Sequence, residues 1–198
     1  MELGRDDLAR DRSLVGRALC ERYADRADAY LSSLFAAATE RTSGVSLVAL
    51  GGYGRRELSL QSDLDVLLLH DDREDIGPVA DAVWYPIWDE GVKLGHAVRT
   101  VKEAVTLAGD DLDSVTAMLQ GRHVAGDAAL TDSLLAKIRD LWSKRSKRYL
   151  PELAARVRDR HDQAGEVAWL LEPDLKEGRG GLRDVQSLDW AGQGRELL

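Results

Sequence analysis

The sequence predicts an α+β protein, in which a small sheet is preceded by a helical lead and followed by a helical subdomain. Three observations predict it. Apolar residues recur at three- and four-residue spacing through residues 8–41 and again after residue 101. Two short apolar runs, 45–50 and 64–69, have the length and composition of buried strands. A third stretch, 92–100, alternates loosely through Val92, Leu94, His96 and Val98. The boundaries that follow are a lead over 1–44, a core over 45–105, and a helical part over 106–198 with a Gly-rich loop at 172–184.

The elements are justified in order. Leu14, Ala18, Leu19 and Tyr23, then Leu31, Leu34 and Phe35, mark one helical face, which Thr42-Ser43-Gly44 ends. The run 45–50 stops at Gly51-Gly52, and residues 55–60 can form a helical turn before the second run. Val79, Val83 and Ile87 at four-residue spacing predict a helix over 78–90, which Pro86 should kink or shorten. Trp84 and Trp88 lie one turn apart on it and are expected to pack in the core. Helices are expected over 101–108, 112–121, 128–141 and 150–169, with Asp110-Asp111 as an N-cap for the second. No closing element is legible after residue 184.

Composition excludes several classes. The chain of 198 residues carries a formal charge of −8, which disfavours tight binding to a phosphate polymer, so no nucleic-acid partner is expected. The run Lys144-Arg145-Ser146-Lys147-Arg148 is expected to be a solvated helix end. Cys20 is the only cysteine, so neither an internal disulfide nor a multi-cysteine zinc site can form. No stretch approaches the ~18 apolar residues of a membrane span, and residues 1–7 lack a signal-peptide core. A cytoplasmic protein without a membrane partner is expected.

The chemistry gathers between the first two strands. Asp63 and Asp65 share a parity, so in an extended segment both carboxylates project to one side. Like charges that close are costly without a cation between them. Mg²⁺ suits such a pair, because it takes one or two carboxylates together with substrate phosphate oxygens; Mn²⁺ can stand in. Gly51 and Gly52 let backbone N–H groups approach a polyphosphate with no Cβ in the way. Ser62 can donate a hydroxyl bond to the same phosphate, and Arg55 and Arg56 can neutralise its charge. A Gly-Gly after a strand is commonly only a turn, and an Asp-x-Asp commonly faces solvent. An acidic pair opening a buried strand right after such a turn is a stronger pattern, because that burial needs a compensating ion.

This arrangement resembles the DNA polymerase β-like nucleotidyltransferases, whose core holds a small mixed sheet. More narrowly, the chain resembles the N-terminal domain of the bifunctional PII uridylyltransferase/uridylyl-removing enzymes. The blocks that carry the resemblance are Gly51-Gly52-Tyr53-Gly54-Arg55-Arg56-Glu57-Leu58, Ser62-Asp63-Leu64-Asp65-Val66-Leu67-Leu68, Trp88-Asp89 and Gly95-His96-Ala97-Val98-Arg99-Thr100. Two more lie in the late loop, Glu172-Pro173-Asp174-Leu175-Lys176-Glu177-Gly178 and Gly180-Gly181-Leu182-Arg183-Asp184. The resemblance implies transfer of a nucleoside monophosphate from UTP or ATP to a tyrosine of the PII signalling protein. It implies Asp63 and Asp65 as catalytic metal ligands, with Gly51, Gly52 and Ser62 holding the triphosphate. Arg55, Arg99 and Lys176 are the further nucleotide-binding candidates, Arg99 because a guanidinium on a strand beside the site needs an anionic partner. No residue selects uracil over adenine.

Three points depart from the superfamily pattern or stay open. A third carboxylate is common there, but 92–100 offers none, and Asp89, Glu90, Glu172, Asp174 and Asp184 are alternatives that spacing does not separate. His161-Asp162 is expected to be a chance dipeptide on an exposed helix, since no partner set for a metal-dependent phosphohydrolase follows. The chain is too short for that domain or for small-molecule-sensing domains, so no nucleotide-removing activity is expected. The competing readings are transfer to another acceptor and a non-catalytic nucleotide-binding module.

Overall fold

A computed structural model describes residues 3–164, 171–172 and 174–196. The expected helix end at 165–169 and Pro173 of the late loop lie outside these. The first strands form where the apolar runs predict them: β1 is Val45–Ala49 and β2 is Leu64–His70. With β3, Leu94–Thr100, and β4, Arg122–Gly126, they make a four-stranded sheet in the order β3-β2-β1-β4. Strand β1 is antiparallel to both β2 and β4, whereas β2 and β3 are parallel, so the sheet is mixed.

Strand parity assigns the two faces. Leu47, Leu64, Val66 and Leu68 face one way and pack with α2 (Arg17–Ala38) and α4 (Ile76–Asp89). Val48, Leu67 and Leu69 face the other way, under α5 (Val101–Asp110), α6 (Leu112–Leu119) and α7 (Ala128–Lys144). That second core continues into α8 (Ser146–Ala164) through Tyr149 and Leu153, and into α9 (Leu182–Glu196) through Trp190. Asp65 has the parity of Leu67 and Leu69 and therefore lies on the face that the later helices cover. Each flanking Leu64, Val66 and Leu67 contributes roughly 2 kcal/mol on burial, enough together to carry one carboxylate inward.

Several expectations are corrected. The lead is not one helix: α1 (Arg5–Arg10) and α2 are separated by residues 11–16. There the Asp11 carboxylate accepts the backbone N–H and hydroxyl of Ser13 at 3.0 and 2.6 Å, a local turn that competes with helix. The helical turn after β1 forms on the glycines themselves, as α3 (Gly51–Gly54), and not over 55–60. Pro86 does not shorten α4, which runs on to Asp89. Of its two tryptophans, Trp84 is buried but Trp88 is 41% exposed.

Strand β4 was illegible because its Arg122-His123-Val124-Ala125-Gly126 is half-exposed throughout and lacks an apolar run. The basic run after residue 143 is not simply solvated. Arg145 and Arg148 donate to the Gly109 carbonyl at 2.6 and 3.0 Å, closing the C-terminal end of α5. Asp111 caps α6 as expected, accepting the Ser114 N–H at 2.8 Å. Among the described residues no helix is long and apolar enough to cross a membrane.

Candidate active site

Asp65 enters the fold between two glycines. The parallel register sets it opposite Gly95 of β3. A Cβ on Gly95 would lie 2.3 Å from Asp65 Oδ1, and one on Gly51 would lie 3.0 Å from Oδ2. The carboxylate therefore occupies space that two side chains would otherwise fill. Gly51 also has φ +53°, a conformation other L-residues adopt only with strain.

The glycine turn is fastened from outside. Tyr53 donates its hydroxyl to Asp28 of α2 at 2.6 Å, and Arg122 of β4 makes two bonds to the same carboxylate, at 2.8 and 2.9 Å. Gly54 is pressed so close to β1 and α6 that a Cβ would lie 2.3 Å from the Gln120 carbonyl oxygen and 3.0 Å from that of Ala49.

The electrostatics single out one carboxylate. Burial pushes the Asp65 carboxyl up from its ordinary value, and the neighbouring Asp63 pushes it further. Lys176 and Arg55 act in the opposite sense without reversing the shift. Among the described residues none donates a hydrogen bond to the Asp65 carboxylate, although its backbone carbonyl accepts the Leu50 N–H at 2.9 Å. A half-buried, unpaired carboxylate beside an exposed one is a demand for positive charge.

A cleft of about 1120 Å³ opens over the pair. It brings together Gly51, Gly52, Arg55, Ser62, Asp63, Asp65 and Lys176 of the expected set. Ser62 Oγ accepts the Ser59 N–H at 3.1 Å and lies 2.9 Å from the Ser59 hydroxyl; when Ser59 donates, the Ser62 proton stays free for a ligand. Arg55 is at the cleft but already engaged, donating to Glu57 at 2.6 Å and to Gln120 at 2.9 Å. Arg56 turns toward α2 and donates to Asp25 at 2.5 Å.

Arg99 is not brought there. It pairs with Leu69, four residues along β3 from Gly95, or about 13 Å at strand rise. His96 has the opposite parity to Gly95 and packs against Trp84 at a tilt and against Trp88 edge-on, at ring distances of 5.6 and 5.2 Å. The strand position that faces Asp65 is glycine, so β3 supplies no third carboxylate. Asp174 accepts the N–H groups of Lys176 and Glu177 in its own loop, both at 2.9 Å. Asp184 is held by Arg160, by His161 Nε2 at 2.8 and 3.0 Å, and by the Gly180 N–H at 2.8 Å. Among the described residues no group of three or more His, Cys, Asp or Glu could hold a metal.

His161 is thus no chance dipeptide on an exposed face; it ties α8 to the glycine loop that carries Lys176. Burial works to raise the Asp184 carboxyl, but the Gly180 N–H, His161 and Arg160 together hold it below its ordinary value. A depressed carboxyl contributes stability that is present above its unfolded value, about pH 4, and is lost as pH falls through the folded one. Asp184→Asn is therefore expected to cost about 1 kcal/mol or more at pH 7 in urea unfolding. That difference should shrink to nothing across an acid series; a difference that is the same at all pH values would show the charge to be irrelevant.

Sequence reasoning missed Gly95, Gln120 and the whole of α9 with Trp190. The one signal was a glycine inside a strand, which marks a close approach.

Comparison with known proteins decides the family. A family model described as GlnD PII-uridylyltransferase matches residues 148–197. The bifunctional uridylyltransferase/uridylyl-removing enzyme of Streptomyces coelicolor is 50% identical over 167 residues, covering 83% of this chain and 20% of that protein. The chain belongs to that family. The enzyme of the same name from Mycobacterium tuberculosis is 49% identical over 149 residues, 74% of this chain and 18% of its own length. That from Erythrobacter litoralis is 34% identical over 211 residues, with 98% and 23% covered. The chain spans about a fifth of the length of these relatives and matches the N-terminal part of the uridylyltransferase sequence. A solved structure described as a toxin-antitoxin with AMP-PNP aligns with a TM-score of 0.39 and 13% identity, over 61% of this chain and 93% of that one.

Proposed function

We propose that this uridylyltransferase-family chain transfers a nucleoside monophosphate, UMP or AMP, from its triphosphate to a tyrosine of PII, with Mg²⁺ bound at Asp63 and Asp65. One observation carries the reading: an unpaired, half-buried Asp65 set between two glycines, beside Asp63, at the floor of a cleft. Two carboxylates fall short of a protein-only metal site, and they fit an ion that completes its shell with triphosphate oxygens and water. When bound, the metal would lower the pKa of the attacking phenol and offset charge on the departing pyrophosphate.

The chain's own residues do the rest. Gly51 and Gly52 leave room for the triphosphate, Ser62 offers it a hydroxyl, and Lys176 adds a positive charge from the late loop. Held in line, the tyrosine oxygen attacks the α-phosphorus as the bond to the bridging oxygen breaks. Pyrophosphate leaves with that electron pair, and the phenol proton passes to solvent.

The intact Asp63/Asp65 pair favours this over a non-catalytic nucleotide-binding module, which has no use for two adjacent acids. Incubation with PII, Mg²⁺ and α-labelled UTP or ATP is expected to label PII on tyrosine. No label from either triphosphate would sink the proposal, and labelling of a different acceptor alone would keep the chemistry and overturn the partner.

A further inference from the structure

The two edges of the sheet are finished differently. At β4 the Val124 carbonyl accepts the Ser32 hydroxyl of α2 at 3.3 Å, and Arg122 is bound to Asp28. At β3 none of the seven residues is buried, and among the described residues no side chain bonds to the backbone of 94–99. The Leu64 N–H donates to the Lys93 carbonyl at 2.9 Å. Alternation from there turns the backbone groups of Gly95 and Ala97 toward β2, and those of Leu94, His96 and Val98 outward. Such a row of open N–H and C=O groups is a template for another strand, and folds commonly blunt it with lysine, proline or a bulge. Leu94-Gly95-His96-Ala97-Val98-Arg99-Thr100 has no lysine or proline, and its register with β2 is unbroken.

That open edge runs past the carboxylate pair. Sheet order places β2, which carries Asp65, between β1 and β3. The glycine turn leaves the end of β1, so it lies on one side of Asp65 and β3 lies on the other. No residue of β3 lines the cleft. In phosphoryl-type transfer the attacking and leaving oxygens stand roughly in line across phosphorus. With the triphosphate tail on the glycine side, attack comes from the side of β3. There Gly95 is exposed and puts no side chain between the Asp65 carboxylate and the outer edge.

We infer that an extended segment of the acceptor protein adds to β3 as a further strand and so delivers its tyrosine to Asp65. The inference rests on the nucleotidyl-transfer reading of the site. A residue set opposite Gly95 in an added strand points to the Asp65 face, one strand spacing, about 4.8 Å, beyond β3. Its two neighbours point to the other face, where Trp88 is 41% and Tyr85 57% exposed, with Trp88 edge-on to His96. The edge thus fits a segment whose tyrosine is flanked by apolar residues. Main-chain bonds supply its affinity, and the aromatic cluster supplies selection.

His96→Pro removes an outward N–H that the sheet itself does not use, a change that an edge strand tolerates. His96→Ala loses the same imidazole but keeps the N–H, so the pair isolates the backbone contribution. His96→Pro is expected to raise the KM for PII at least about tenfold over His96→Ala, with Mg–triphosphate affinity within about twofold in both. Equal KM values in the two variants, or a parallel loss of triphosphate affinity, would overturn the docking edge while leaving nucleotidyl transfer in place. Hydrogen exchange on the parent protein needs neither variant to fold. Its His96 and Val98 amides should exchange at least about tenfold more slowly at saturating PII. Unchanged exchange there would overturn the inference. So would protection without PII that grows with the protein's own concentration, which would give the edge to a second copy. A parent that labels no PII tyrosine from either triphosphate would overturn the nucleotidyl-transfer reading, and the docking edge with it.

Discussion

Asp65→Asn is expected to abolish nucleotidyl transfer while the protein unfolds no more easily than the parent. The substitution keeps the volume and removes the charge. Because burial and Asp63 both raise the Asp65 carboxyl, the ionised form costs stability at neutral pH, and the amide relieves that cost. Thermal unfolding should therefore be unchanged or shifted upward. If Asp65 positions the proposed metal, the catalytic loss should be about 10³-fold or more, equivalent to several kcal/mol. Measurable transfer at the parent's rate, with the label on the same tyrosine, would remove Asp65 from the reaction. A collapsed fold would instead assign it a structural role, against the absence of any hydrogen bond to its carboxylate among the described residues.

The second large effect comes from a residue with no functional group. Gly95→Val places methyl groups where the Asp65 carboxylate lies, 2.3 Å from the Cβ position. Strand β3 is the edge of the sheet and position 95 is exposed, so a β-branched residue is tolerated by the strand itself. The strain falls on Asp65, whose carboxylate must swing away from Asp63 or back toward Gly51. A displacement of about 1 Å in such a group costs on the order of 10²-fold in rate. Transfer should fall by at least that much with the urea midpoint near the parent's. Full activity in Gly95→Val would mean that the observed Asp65 position is not the reacting one.

What was legible in the sequence follows from the physics of each part. β1 and β2 are buried on both faces, so their apolar runs announced them, and Asp63 and Asp65 stood out as acids at the mouth of such a run. Gly51 and Gly52 were legible as the turn, though the helix was expected one step too late. Parity alone could not say which face the carboxylates take, nor that β3 runs parallel to β2 and sets glycine opposite Asp65. That register also removed Arg99 from the site, since chain proximity to the site is not spatial proximity once a strand carries the residue past it. α9 gave no signal because Leu182, Val185 and Leu188 are exposed while Trp190 is buried, which inverts the amphipathic pattern the eye looks for. β4 was silent because its half-exposed residues mix charge with small apolar groups.

Asp28 of α2 accepts from Tyr53 in the glycine turn and from Arg122 in the far edge strand. One carboxylate from the chain's opening third thus pins two later pieces that share no backbone hydrogen bond with it. The smallest working unit therefore does not begin where the sheet begins. A version trimmed to start at residue 45 would keep both acids and both glycines in its text yet lose the anchor that holds Tyr53 beneath them. Economy of sequence and economy of structure have different starting points in this protein, and a shortened version designed from its motif alone would inherit a loosened glycine turn.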